Sequence, residues 1–215
     1  MSTFSAQKFR ELPVVGILRG IDKQTIDRIV PLYIGAGFTT LEITMNSEGA
    51  TDLIAYVAEK YPEINVGAGT VCDLNDLEKA LAAGSQFIVT PILDEEVIRK
   101  CKSLDVPVFP GSFSPTEIYK AWKAGATAVK IFPYTQFKVG YMKDVKAPLN
   151  EIELLPTGGV GVENIAEFFK GGAYGVGMGG SLFPKHLMAE DKADELKAHF
   201  EAIANAYYST VPQEV

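Results

Sequence analysis

A small residue and a glycine precede alternate apparent strands of this 215-residue chain, as Ala36-Gly37, Ala83-Gly84, Ala124-Gly125 and Gly171-Gly172. The intervals are 47, 41 and 47 residues. Each is about two strand–helix units long, so the chain repeats at the level of supersecondary structure. Short apolar runs rich in β-branched residues alternate with amphipathic stretches. The apparent strands are Val14 to Leu18, Thr39 to Thr44, Asn65 to Thr70, Gln86 to Thr90, Val106 to Phe109, Ala126 to Phe132, Glu153 to Pro156 and Tyr174 to Met178. Helical patterns include Asp73 to Ala83, Asp94 to Ser103, Ser114 to Ala124 and Val162 to Lys170, with Asp22, Asp73, Asp94 and Ser114 as expected N-caps.

Eight strands each followed by a helix predict a parallel sheet with crossover connections. Four such double units fit an eightfold closure, whereas an open doubly wound sheet breaks the repeat where its strand order reverses. The expectation is a single (β/α)8 TIM barrel spanning residues 1–215, with short loops; the open sheet is the alternative. No Pro/Ser-rich linker or compositional shift divides the chain.

The repeat also predicts a site. Five residues beyond the four glycines stand Glu42, Val89, Lys130 and Gly177. Alternate strands of a barrel contribute to one inward layer, so these four should meet near the C-terminal mouth as an acid, an aliphatic wall, a lysine and a vacancy. Lys130 lies in the apolar strand Ala128-Val129-Lys130-Ile131-Phe132. Burial lowers a lysine pKa and frees the amine to attack carbonyls. The same sequence also suits a structural lysine paired with a carboxylate, or one reaching solvent at the strand end. Glu42, in Leu41-Glu42-Ile43-Thr44, could shuttle protons or hold Lys130 as ammonium, so the pair alone does not decide.

Two glycine turns, Pro156-Thr157-Gly158-Gly159-Val160 and Gly177-Met178-Gly179-Gly180-Ser181, follow the last two apparent strands. Barrel enzymes often bind phosphate there, on backbone N–H groups that glycine leaves uncovered. Thr70, Pro91 and Arg19 end other strands at the same face. Each could be loop or surface chemistry, although a guanidinium suits a carboxylate or phosphate. His186 and His199 fall outside the strands and receive no role.

Composition narrows the partners. A net charge of -7 and pI near 5.0 argue against nucleic acid, which demands a basic face. Cys72 and Cys101 have no second ligand at zinc spacing and read as free thiols. The residues from Met1 to Arg10 lack the apolar core of a signal peptide, and no apolar run approaches the ~20 residues of a membrane span. A cytoplasmic location and no membrane partner are the expectations.

The assembled motifs resemble the family of 2-keto-3-deoxy-6-phosphogluconate and 4-hydroxy-2-oxoglutarate aldolases. The likeness runs from Gly16-Ile17-Leu18-Arg19 through Leu41-Glu42-Ile43-Thr44, Gly67-Ala68-Gly69-Thr70-Val71, Val89-Thr90-Pro91, Phe109-Pro110-Gly111, Val129-Lys130-Ile131-Phe132-Pro133 and Pro156-Thr157-Gly158-Gly159-Val160 to Gly179-Gly180-Ser181. The resemblance implies a class I aldolase without metal or cofactor, usually a homotrimer. Its substrate would be a 2-oxo sugar acid phosphate, yielding pyruvate and an aldehyde such as glyceraldehyde 3-phosphate. It implies Lys130 as the Schiff-base lysine and Glu42 as acid/base. Thr70 would bind the pyruvyl carboxylate, and Phe132 and Pro91 would line the pocket. Arg19, Asn46 and Thr157 would complete the substrate contacts, with Gly158, Gly159, Gly179, Gly180 and Ser181 on phosphate.

Asn46 stands where the gluconate-type pattern has an arginine, as in the 2-dehydro-3-deoxy-6-phosphogalactonate aldolases, which Gly140-Tyr141-Met142-Lys143 also resembles. The resemblance then implies that Arg19 takes over that arginine's share in holding the carboxylate. The rival readings are an imine-free, phosphate-binding isomerase or epimerase and a non-catalytic sugar-phosphate sensor.

Overall fold

The computed structural model describes residues 3–138 and 140–211. Helix α1 (Ala6–Glu11) leads into β1 (Val14–Leu18), α2 (Lys23–Gly35), β2 (Thr40–Thr44), α3 (Ala50–Lys60), β3 (Asn65–Gly69), α4 (Leu74–Ala82) and β4 (Ile88–Val89). Then follow α5 (Glu95–Ser103), β5 (Val108–Phe109), β6 (Gly111–Ser112), α6 (Pro115–Ala124), β7 (Val129–Ile131) and α7 (Gly140–Lys146). The last elements are β8 (Leu154–Pro156), α8 (Ile165–Lys170), β9 (Val176–Met178) and α9 (Ala193–Tyr208). The four expected N-caps all act: the side chains of Asp22, Asp73, Asp94 and Ser114 accept from the N–H groups of Thr25, Asp76, Val97 and Glu117.

The glycine repeat has one physical cause. Gly37, Gly84, Gly125 and Gly172 adopt φ of 92°, 95°, 115° and 88°, the left-handed region that costs glycine no Cβ clash. Each donates its N–H three residues back, to Ile34, Leu81, Trp122 and Phe169, and the next residue reaches five back, to Tyr33, Ala80, Ala121 and Phe168. This double closure is the Schellman ending of a helix. It ends α2, α4, α6 and α8 in the same way, and so delivers the following chain into alternate strands.

All strand pairs are parallel. One sheet runs β5-β4-β3-β2-β1-β9 and the second β6-β7-β8, giving a curled parallel sheet under helices. Within each sheet strands consecutive in the chain neighbour one another, and the last strand joins the first through Val15↔Gly177 and its flanking pairs. No reversal of the doubly wound kind occurs in this order. Thr127 N–H donates to the Val108 carbonyl at 2.9 Å, and Thr157 bridges Gly177, so hydrogen bonds also link the two sheets.

Several expected boundaries need correction. The fifth strand continues beyond Phe109 as β6, broken by Pro110, which has no N–H to give the ladder; its carbonyl still accepts from Lys130 N–H at 2.9 Å. Eight expected strands therefore become nine. The apparent strand Gln86 to Thr90 keeps ladder geometry only at Ile88–Val89, and Ala126 to Phe132 only at Val129–Ile131. The helix expected from Val162 starts at Ile165, because Asn164 accepts from Gly161 N–H and donates to the Gly159 carbonyl, holding a turn.

The interior has a distinct lower cluster of Phe9, Val15, Phe87, Val89, Phe109, Ala128 and Leu155. Phe87 and Ala128 directly precede β4 and β7, and Val15 and Leu155 stand second in β1 and β8. Phe9 and Phe4 bring α1 and its approach across that end: Phe9 stacks on Phe109 with centroids 6.1 Å apart, and Phe4 meets Phe87 at 5.5 Å. Aromatic pairs at such separations add about 0.5–1.5 kcal/mol beyond area burial.

Candidate active site

Glu42 and Lys130 come together above that apolar base. Glu42 is paired in register with Ile17 and Gly67; Lys130 with Gly111 and Leu155. Glycines make room for what reaches across. A Cβ on Gly69 would lie 2.2 Å from Glu42 Oε1, and one on Gly177 would lie 2.3 Å from Thr157 Oγ1. The expected vacancy at Gly177 is thus taken by the Thr157 side chain. Val89, the expected aliphatic wall, belongs to the lower apolar cluster.

Both charged groups are buried, with 1 % of Glu42 and 6 % of Lys130 exposed. Glu42 Oε2 has no hydrogen-bond partner. Burial pushes the Glu42 carboxyl up to about 7, against the opposing pull of the Lys130 and Arg19 charges. Burial likewise lowers Lys130; Glu42 opposes this and Arg19 adds to it. For both partners burial is the larger influence and their mutual attraction the smaller, opposing one. The lysine is shifted toward free amine and the carboxyl toward the neutral range, which suits a nucleophile beside a proton carrier. Lys130 Nζ lies 4.7 Å from the centroid of the Phe132 ring.

Phe132 also lines a cavity of about 610 Å³ at the mouth, shared with Arg19, Thr157, Gly158, Gly179, Gly180 and Lys185. Gly158 and Gly159 take φ of 99° and 73°. The N–H groups of Gly158, Gly159, Gly180 and Ser181 donate to no other described residue, leaving four amides of the two glycine turns available to an acceptor. Ser181 is exposed. His199, given no role from sequence, lies with Nε2 2.8 Å from the Ser181 carbonyl and steadies that turn. Arg19 is exposed and forms none of the ion pairs among the described residues.

Thr70 has φ of 57°, a strained conformation for a β-branched residue, at the end of β3. Thr90 Oγ1 donates to the Ile92 carbonyl and accepts from Gly111 N–H at 3.2 Å, fixing half-buried Pro91 between them. A Cβ on Gly111 would come within 2.4 Å of the Pro91 backbone. Asn46 is exposed.

Sequence reasoning missed Ser47 and Lys185. Ser47 Oγ accepts from Gly20 N–H at 2.9 Å and shares a hydrogen bond with Thr44 Oγ1 at 3.0 Å, tying the loop that carries Arg19 to the end of β2. Among the described residues no trio of metal-binding side chains assembles, Cys72 and Cys101 are free, and no helix is long and apolar enough to cross a membrane.

The model of the family described as KDPG and KHG aldolase matches residues 6–199. The chain belongs to that family. As an aldolase it is a carbon–carbon lyase. It is 35 % identical over 198 residues to the 2-dehydro-3-deoxy-6-phosphogalactonate aldolase of Escherichia coli K12, covering 91 % of this chain and 97 % of the relative. It is 34 % identical over 197 residues to the 2-dehydro-3-deoxy-phosphogluconate aldolase of Haemophilus influenzae, covering 88 % and 90 %. The solved structure described as native KDPGal superposes with a TM-score of 0.86 at 33 % identity, covering 97 % of this aldolase and 98 % of that chain.

Proposed function

We propose that this aldolase works by the class I route on a 2-keto-3-deoxy sugar acid 6-phosphate of gluconate or galactonate configuration, or on 4-hydroxy-2-oxoglutarate. The observation that carries the reading is the buried Lys130, its pKa lowered by burial, beside a buried Glu42 with an unpartnered oxygen. The amine of Lys130 attacks C2; the carbinolamine loses water and becomes a protonated imine. Glu42 as carboxylate takes the C4 hydroxyl proton, the C3–C4 bond breaks, and its electron pair enters the imine to give an enamine. The aldehyde, glyceraldehyde 3-phosphate for the sugar acids, departs. The Glu42 proton then goes to C3, and hydrolysis releases pyruvate and restores Lys130.

In this reading Thr70 and Arg19 hold the carboxylate, Phe132, Pro91, Thr157 and Asn46 form the walls and rim, and the Gly158-Gly159 and Gly179-Gly180-Ser181 turns hold phosphate. No metal or cofactor enters the scheme. The same reading takes residues 1–215 as one closed (β/α)8 barrel domain acting as a cytoplasmic homotrimer, with the two sheets joined at Val108–Thr127 and Thr157–Gly177.

The test is pyruvate release from both C4 epimers, followed by a coupled dehydrogenase. Wild type should cleave at least one, and Lys130→Ala should lose on the order of 10⁴-fold or more. Comparable activity in the variant would sink the proposal and favour proton transfer without an imine.

A further inference from the structure

The mouth cavity has a charge bias opposite to that of the chain. The protein carries a net charge of -7, yet the ionisable residues lining this cavity are Arg19 and Lys185, and no carboxylate lines it. Lys185 begins the short 3-10 turn after Pro184, which fixes the backbone entering it. It is exposed, and among the described residues its ammonium forms none of the ion pairs. It shares the cavity with Gly158, Gly179 and Gly180, from the two turns whose free amides await an acceptor. Phe132, whose ring centroid lies 4.7 Å from Lys130 Nζ, lines the same cavity and so connects this basic corner to the surroundings of the amine.

We propose that Lys185 is a specificity-determining residue that binds the substrate's phosphate, supplying the charge that four neutral amides lack. This rests on the aldolase reading above and extends it to one side chain. A phosphate monoester carries about -1.5 to -2 at neutral pH. Backbone amides give it directional hydrogen bonds but only partial charge, and Arg19 is also wanted by the carboxylate end. An ammonium on a flexible stem follows phosphate as a point charge. It also discriminates, because an unphosphorylated 2-keto-3-deoxy sugar acid has only a neutral hydroxyl at that end.

The experiment compares kcat/KM for 2-keto-3-deoxy-6-phosphogluconate with that for unphosphorylated 2-keto-3-deoxygluconate in the intact protein. In Lys185→Ala the ratio of the two should fall about tenfold, from a raised KM for the phosphorylated substrate with kcat little altered. Lys185→Arg should recover most of the ratio, and added salt should erode it more in wild type than in the alanine variant. A ratio within twofold of wild type overturns the assignment, as does an equal loss on both substrates. Borohydride trapping of pyruvate on Lys130 in the same preparations separates the two levels. An adduct with an unmoved ratio removes Lys185 alone, whereas no adduct and no cleavage in wild type removes both readings.

Discussion

The two ends of the strand interior follow opposite rules. At the base, Phe4, Phe9, Val15, Phe87, Phe109, Ala128 and Leu155 fill the space with apolar side chains, and rings from α1 face rings from the strands. At the mouth, Glu42 and Lys130 are buried against their electrostatic preference, Glu42 Oε2 is unpartnered, Thr70 is held at positive φ, and amides of two turns point at no protein acceptor. A base that satisfies its own groups stabilises the fold; a mouth that leaves groups unsatisfied costs stability and reserves them for a ligand. The contrast implies that substitutions at the mouth cost rate, whereas those at the base cost stability.

The sharpest break in that contrast would come from Glu42→Gln. Turnover should fall about 10²–10³-fold, and a rise of kcat/KM with pH through about 7, expected for wild type, should be absent from the variant's pH–rate profile. Stability should move the other way. The folded pKa lies above the ordinary 4.5, so protonated Glu42 favours the fold below 4.5, and that advantage is lost as pH rises toward 7. Denaturant melts across this window should show wild type losing stability relative to Glu42→Gln. Gly69→Ala, whose methyl would displace the carboxylate, should cut kcat about 10²-fold while the melting temperature moves little.

Phe9→Ala probes the base. Removing a fully buried ring that meets Phe4, Phe109 and Tyr174 should cost about 3–5 kcal/mol of stability in urea titration, with kcat per folded molecule staying within twofold. A large loss of kcat would dissolve the distinction between the two ends. The smallest effect belongs to Ser47→Ala. Freeing Gly20 and thereby loosening Arg19 should raise KM about threefold, from one neutral hydrogen bond, with Ser47→Thr restoring it.

Much of this was legible in the sequence because the repeat is a helix-ending motif with a fixed offset to the next strand. Counting from the glycine therefore lands on inward positions, and Glu42, Lys130 and Gly177 emerged together. Counting cannot give depth: Val89 has the same offset but belongs to the apolar base. Pro110-Gly111 reads as a turn, yet the proline breaks the fifth strand without ending it, because its carbonyl still serves the ladder. Ser47 and Lys185 carried no motif. Their roles depend on which loops meet at the mouth, a long-range fact; the signal available for Lys185 was a lysine just past the last glycine turn and a proline. The sign of the Glu42–Lys130 competition needed burial on both sides, which no pattern of residue types supplies.

The most direct test is borohydride reduction in the presence of pyruvate, followed by peptide mass spectrometry. The account predicts a stable pyruvyl-derived adduct on the peptide carrying Lys130, absent from Lys130→Ala. A folded wild-type protein that binds pyruvate but yields no adduct there would contradict it.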